Sequence, residues 1–256
     1  MGSGGVARIV AVGASNLTRG FPAVVDAARN AWGPDIEVLA ALGNGRSYGG
    51  PSTYLIRTLP GILDSGLWRD LQSRPAVPTR ALVTDVGNDI LYGSPPAQIL
   101  AWVGECVARL ERFSHDIVLT GLPVAVNEGL PEWKFVCFRS LFYPQCRLTL
   151  DETVSAARRV DDGLGTLAAE RGLRFCRLRP EWYRLDPVHI RPGMWRAAWQ
   201  EILCGGRAGH IARPGMAAEA IRLYCLQPER AAFLGVERRK PQAGVTLRAG
   251  GRIWLY

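Results

Sequence analysis

Five short apolar runs punctuate this chain up to Leu178: residues 7–13, 36–43, 80–86, 116–123 and 173–178. They lack polar alternation, the pattern of strands buried on both faces of a parallel sheet. Between them lie stretches of helical period. Residues 21–32 stop at Gly33, which suits a C-cap, and residues 52–64 follow a Pro-Ser start. Residues 95–113 open with prolines fitted to a first helical turn. Residues 150–171 carry Val154, Ala157, Val160, Leu164 and Leu167 on one stripe before Gly172. Strand–helix alternation of this kind predicts an α/β fold: a three-layer α/β/α domain around a five-stranded, mostly parallel, flavodoxin-like sheet.

Two regions depart from the alternation. Residues 127–147 concentrate Trp133, Phe135, Phe138, Phe142 and Tyr143 without a clear period. Aromatics mostly supply burial, so the segment reads as packed on the core rather than as a lid. Beyond His189, residues 194–203 and 215–226 have helical patterns, and residues 244–256 alternate around Gly250-Gly251 as a β-hairpin. The expected organisation is a domain over residues 1–203 and a basic extension over 204–256, helix plus hairpin, packed on that domain. No internal repeat and no low-complexity linker is visible.

Composition narrows the class. With 256 residues, 48% of them hydrophobic, the chain is long enough for a substantial core. No apolar run has membrane-spanning length, and Met1-Gly2-Ser3-Gly4-Gly5 is unlike a secretion signal. The six cysteines (Cys106, Cys137, Cys146, Cys176, Cys204 and Cys225) show neither CxxC nor metal-type spacing and read as reduced thiols. A cytoplasmic protein without metal or cofactor is expected. The net charge of +8 is uneven: residues 190–256 hold 11 basic and 4 acidic side chains, against 20 and 19 in residues 1–189. A basic end of this kind suits nucleic acid or an anionic membrane surface. No nucleic-acid motif accompanies it, so nucleic acid is not an expected partner. The terminal hairpin offers an edge through which a homo-oligomer can form.

The chemistry gathers where the predicted strands end. Ser15 follows the first strand, in Val12-Gly13-Ala14-Ser15-Asn16-Leu17; a Gly-rich loop, 43–50, follows the second; Asn88 follows the third, in Val86-Gly87-Asn88-Asp89. Asp186-Pro187-Val188-His189 follows the fifth. In open parallel sheets ligands bind beyond the carboxyl ends of the strands, so these loops share one rim. Serine needs a base to become a nucleophile, and the imidazole needs a carboxylate to hold its tautomer. A D-x-x-H spacing lets one turn present both, making Asp186 and His189 the pair for Ser15. Of the other histidines, His115 precedes the fourth strand at the opposite end, and His210 has no carboxylate neighbour in sequence. Ser15 N–H, a glycine N–H from the second loop and the Asn88 amide are candidate oxyanion donors. Taken singly, the same residues are ordinary: Ser15 or Asn16 as a helix start, Asn88-Asp89 and Asp186-Pro187 as turns.

In combination these residues resemble the SGNH, or GDSL, hydrolase family. Gly13-Ala14-Ser15-Asn16 is similar to its first block, Asn44 with Gly49 to its second, Gly87-Asn88-Asp89 to its third and Asp186 with His189 to its D-x-x-H block. The resemblance implies a serine esterase or acyl hydrolase acting on a small ester or acylated substrate through an acyl-enzyme. Ser15, Asp186 and His189 would be catalytic, and Ser15, Gly49 and Asn88 would form the oxyanion hole, with Gly45 and Gly50 as alternatives to Gly49. Ala14 departs from the family, which most often has Asp there. An acyltransferase on the same site and a non-catalytic binding module are the alternatives. A dinucleotide enzyme is disfavoured: after Gly13 the next glycine is Gly20, and the second strand ends without an acidic residue.

Overall fold

The computed structural model describes residues 6–184, 186–205, 216–248 and 250–256. Along the chain run β1 (Ala7–Val12), α1 (Ser15–Arg19), α2 (Phe21–Trp32), β2 (Ile36–Ala41), β3 (Ser52–Tyr54), β4 (Arg57–Leu59), α3 (Leu67–Ser73) and β5 (Thr79–Val83). These are followed by α4 (Asn88–Leu91), α5 (Pro96–Glu111), β6 (Asp116–Thr120), α6 (Val124–Asn127), α7 (Glu132–Phe142), α8 (Leu150–Glu170) and β7 (Arg174–Cys176). Last come α9 (Trp195–Cys204), α10 (Met216–Tyr224), β8 (Arg230–Phe233), β9 (Val236–Arg239), β10 (Val245–Thr246) and β11 (Arg252–Leu255).

All five predicted strands form, as β1, β2, β5, β6 and β7, and they pair in parallel in the order β2-β1-β5-β6-β7. The sheet has seven strands rather than five. β11 adds in parallel beside β2, and β10 pairs antiparallel with β11 at the edge. The terminal hairpin is therefore present, but one of its strands is built into the central sheet.

Strand alternation divides the core into two layers. Val10, Val12, Leu39 and Ala41 face α3, α5 and α8 on one side. Ile9, Ala11, Val38 and Ala40 face α2 and α9 on the other. Both faces being covered explains why the strands read as continuous apolar runs. α8 starts at a capping box, Thr149 and Glu152 each serving the other's N–H.

Residues 52–64 are not a helix. Residues 52–59 form the β3–β4 hairpin, which pairs through β4 with β8 in a separate sheet of order β3-β4-β8-β9. Thr53, Tyr54, Ile56 and Thr58 favour strand over helix, and Pro60 cannot continue a helix begun upstream. The aromatic segment, by contrast, is helical as α7. The helical pattern over 215–226 is realised as α10. Gly215 and His210 lie outside the described residues.

Candidate active site

Between β1 and β5 the strand order reverses: from β1 the chain moves first to β2 on one side, then across to β5 on the other. Loops leaving these two strands splay apart and open a crevice at their carboxyl ends. Ser15 and Asn16 leave β1 there, and Asp85 and Asn88 leave β5. Gly13 permits the close approach: a Cβ at this position would lie 2.7 Å from Thr84 Cγ2.

Asp85 ties the two loops together. One carboxylate oxygen accepts from Ala14 N at 3.0 Å and Leu17 N at 2.9 Å, and the other accepts from Asn16 Nδ2 at 2.9 Å. Its φ of 59° is left-handed, a conformation that Asp tolerates better than most residues. Asn16 in turn reaches the far loop. Its Nδ2 donates to Val188 O at 3.0 Å, and its Oδ1 accepts from Ile190 N at 2.7 Å. The two residues flanking His189 are thus held by the residue that follows Ser15.

Within that loop the carboxylate and imidazole are paired. Asp186 Oδ2 lies 2.7 Å from His189 Nδ1, while Oδ1 accepts from Val188 N at 3.0 Å and His189 N at 3.1 Å. Partial burial pushes the Asp186 pKa up, but His189 and the two backbone N–H groups outweigh it, leaving the carboxyl below its ordinary value. His189 is buried, whereas Asp186 is half exposed with Arg19 3.8 Å away. One carboxylate oxygen on Nδ1 fixes the tautomer and leaves Nε2 as the acceptor.

Across the crevice, Asn88 opens α4. Its Oδ1 accepts from Tyr143 Oη at 2.9 Å, which commits Nδ2 to donating; Nδ2 makes only a long contact, 3.5 Å, to Arg46 O. Burial drives the Tyr143 pKa far above the ordinary phenol value, so the hydroxyl keeps its proton. Asp89 braces the Gly-rich loop, accepting from Tyr48 N at 2.9 Å and from Ser47 Oγ. Burial raises its pKa to about 6 against those two bonds. Gly49 N and Gly50 N both donate to Ser47 Oγ at 3.2 Å. Gly49 packs face-on to Trp102, where a Cβ would lie 2.0 Å from the ring. Gly45 has φ 65°, and its carbonyl accepts from Tyr92 Oη at 2.7 Å. Its N–H makes no such bond among the described residues.

The fully buried Arg46 anchors this loop to the rest of the molecule. Its guanidinium donates to Pro60 O at 3.1 Å, to Leu42 O at 3.2 Å and to Tyr256 O. Burial and neighbouring Arg57 lower its pKa to about 9. The residue after β11 is therefore bonded to the loop that Asp89 braces.

Ser15, Asn88, Asp186 and Val188 border a cavity of about 350 Å³ whose remaining walls are mostly apolar, including Leu122, Trp133, Phe138 and Val154. Ser15, Asn88 and Asp186 thus border one cavity, and His189 is paired with Asp186 in the loop that contributes Asp186 and Val188 to its wall. Of the three glycines considered, Gly49 and Gly50 have their N–H groups occupied within their own loop. Three contributors escaped the sequence reading: Asp85, Asn16 as a clamp, and Tyr143. The signal for Asp85 was an acidic residue closing a buried strand; Tyr143 carried none beyond its aromatic neighbours. Among the described residues, no group of three or more His, Cys, Asp or Glu side chains is placed to hold a metal, and no helix is long and apolar enough to cross a membrane.

No family model matches the chain. No curated protein matches it either. Among solved structures it is similar to a lipolytic protein of the G-D-S-L family from Veillonella parvula, with 13% identity over 79% of this chain and 100% of the other, at a TM-score of 0.49. A GDSL-like lipase from Bacteroides thetaiotaomicron shares 12% identity over 77% of this chain and 85% of that one, at 0.46. The psychrotrophic esterase EstA from Pseudoalteromonas sp. shares 10% over 77% and 94%, at 0.44. The three-layer α/β/α architecture of this chain stands on its own strand order, register and two-sided core.

Proposed function

We propose that this protein is a serine hydrolase of the SGNH type that cleaves an ester or acyl group through an acyl-enzyme. The observation that carries the reading is the Asn16 bridge, which seats the Asp186–His189 pair against the loop bearing Ser15. His189 Nε2 takes the Ser15 hydroxyl proton as Oγ attacks the acyl carbon, and Asp186 stabilises the imidazolium. The tetrahedral oxyanion is held by Ser15 N–H and Asn88 Nδ2, with Tyr143 keeping that amide the right way round. For the third donor, Gly45 N–H is favoured over Gly49 and Gly50, whose N–H groups already serve Ser47. The imidazolium protonates the leaving alcohol; water, deprotonated by His189, then releases the acid and restores Ser15. The apolar cavity receives the acyl portion.

A fluorophosphonate probe tests this directly. The unaltered protein is expected to be labelled on Ser15, while Ser15→Ala and His189→Ala are not labelled above background. Equal labelling of all three proteins would overturn the assignment.

A further inference from the structure

The four-stranded sheet beside the main domain presents two hairpin tips. Tyr54 and Arg57 pair across the first turn, leaving Leu55 and Ile56 at its tip, and Phe233 and Val236 pair across the second, leaving Leu234 and Gly235. Pairing of Arg57 with Phe233, continued by Leu234 N donating to Ile56 O at 3.0 Å, sets the two tips side by side. Four large apolar side chains stand there in solvent: Leu55 at 63% exposure, Ile56 at 59%, Leu234 at 78% and Val236 at 63%.

Two of these residues are costly twice over. Leu55 and Leu234 have φ values of 56° and 48°, at turn positions that favour glycine or asparagine. A leucine there strains the backbone, and its exposure returns no burial to offset the strain. Gly235 follows at φ 80°, so the second turn has two left-handed residues, and asparagine would suit the first of them. Neither side chain contributes to the core on either side of the main sheet. Their use lies outside the fold.

The surroundings indicate what they meet. The half-buried Arg57 and the exposed Arg238 each hold a guanidinium 5.8 Å from the Phe233 ring centre, just behind the tips, and neither has a carboxylate within ion-pair distance among the described residues. Val236 and Arg238 share a face of β9, a strand exposed along its whole length. The apolar surface also continues toward the cavity. Tyr54, which precedes Leu55, stacks on Phe142 at 5.4 Å; Phe142 meets Phe138 at 5.1 Å, and Phe138 lines the cavity. Unpaired cations behind exposed leucines match a surface that is anionic outside and apolar beneath. Nucleic acid would use the cations but leave the leucines in water. Addition of a second copy along the β9 edge is opposed by the run of exposed charges Glu237, Arg238 and Arg239 on that strand.

We propose that the paired hairpin tips dock this protein on bilayers rich in anionic phospholipid. Leu55, Ile56, Leu234 and Val236 enter the boundary between headgroups and acyl chains, and the exposed Arg238 meets the headgroup phosphates, with the half-buried Arg57 adding its charge from behind. The docking is independent of the hydrolase assignment, since it needs no turnover.

Flotation of the full chain with vesicles tests it, comparing phosphatidylcholine alone with equal parts phosphatidylcholine and phosphatidylglycerol. The unaltered protein is expected to float with the mixed vesicles and to stay behind with phosphatidylcholine. A double variant, Leu55→Gly with Leu234→Asn, installs residues that these turns favour, so thermal stability should hold or rise. Its partition onto mixed vesicles should fall at least about tenfold, from the loss of two inserted side chains. Arg238→Gln should weaken binding about fivefold at low salt. The proposal is overturned if the unaltered protein ignores mixed vesicles. It also fails if the double variant binds equally well, which would reduce the effect to charge adsorption. Sedimentation equilibrium showing a dimer that the double variant dissolves would assign the tips to a second copy and overturn it too.

Discussion

The two walls of the crevice are built by different means. On the Ser15 wall, Asp85 and Asn16 exchange hydrogen bonds with backbone groups of two loops more than 170 positions apart in sequence, and every bond is 3.0 Å or shorter. The Asn88 wall adds aromatic packing, Tyr92 against Tyr143 and Phe138 against Phe142, to the buried hydrogen bonds of Asp89 and the tie from Tyr143 to the amide. Hydrogen bonds fix a position to tenths of an ångström and fail abruptly when an acceptor is lost. Packing contacts are individually weak and degrade gradually. The Ser15 side should therefore be brittle and the aromatic part of the Asn88 side tolerant.

The largest effect expected on that comparison comes from Asp85→Ala. It strands the Ala14 and Leu17 N–H groups and leaves alanine at a left-handed φ, a loss of about 3–5 kcal/mol in unfolding free energy. Urea denaturation measures it. A loss under about 1 kcal/mol would show that the clamp is dispensable.

Asp89 comes next, as the buried carboxylate bracing the Gly-rich loop. Its folded pKa of about 6 stands above the ordinary 3.8, so between about pH 4 and 6 the folded state keeps a proton that the unfolded state has lost. Stability from this group is therefore highest below that window and declines as pH rises through it, by about 3 kcal/mol at most. Asp89→Asn should flatten that part of the stability profile measured at stepped pH. An unchanged slope would move the titration elsewhere.

Smallest is Tyr143→Phe, which frees the Asn88 amide to turn over without opening a cavity. A roughly tenfold fall in kcat with KM unchanged is expected from misorienting the proposed oxyanion donor. A change in KM alone would assign Tyr143 to substrate packing instead.

Ala14 shows how such contrasts stay hidden in a sequence. The resemblance to SGNH hydrolases is weakest there, where an acidic residue is usual. The structure brings a carboxylate to the same backbone from the loop after β5, the neighbour of β1 in the sheet, Asp85 bonding the Ala14 N–H itself. A short motif compares neighbours in sequence, so it cannot register a group supplied from 71 positions away.

What the sequence determined by itself is local. Unbroken apolar runs marked the five parallel strands, period and caps marked α2, α5 and α8, and the D-x-x-H spacing placed Asp186 on His189, because three residues is the reach of one turn. Tertiary structure decided the rest. The β3–β4 hairpin became part of a larger sheet because β8, far along the chain, pairs with β4. β11 entered the main sheet because the outer edge of β2 could accept it. Asn16 became a clamp, and Asn88 an oriented donor, only once Val188 and Tyr143 were brought to them. Asparagine reads the same in sequence whether it caps a helix or bridges two distant loops; the partner that distinguishes these roles is chosen by the packing of the whole sheet.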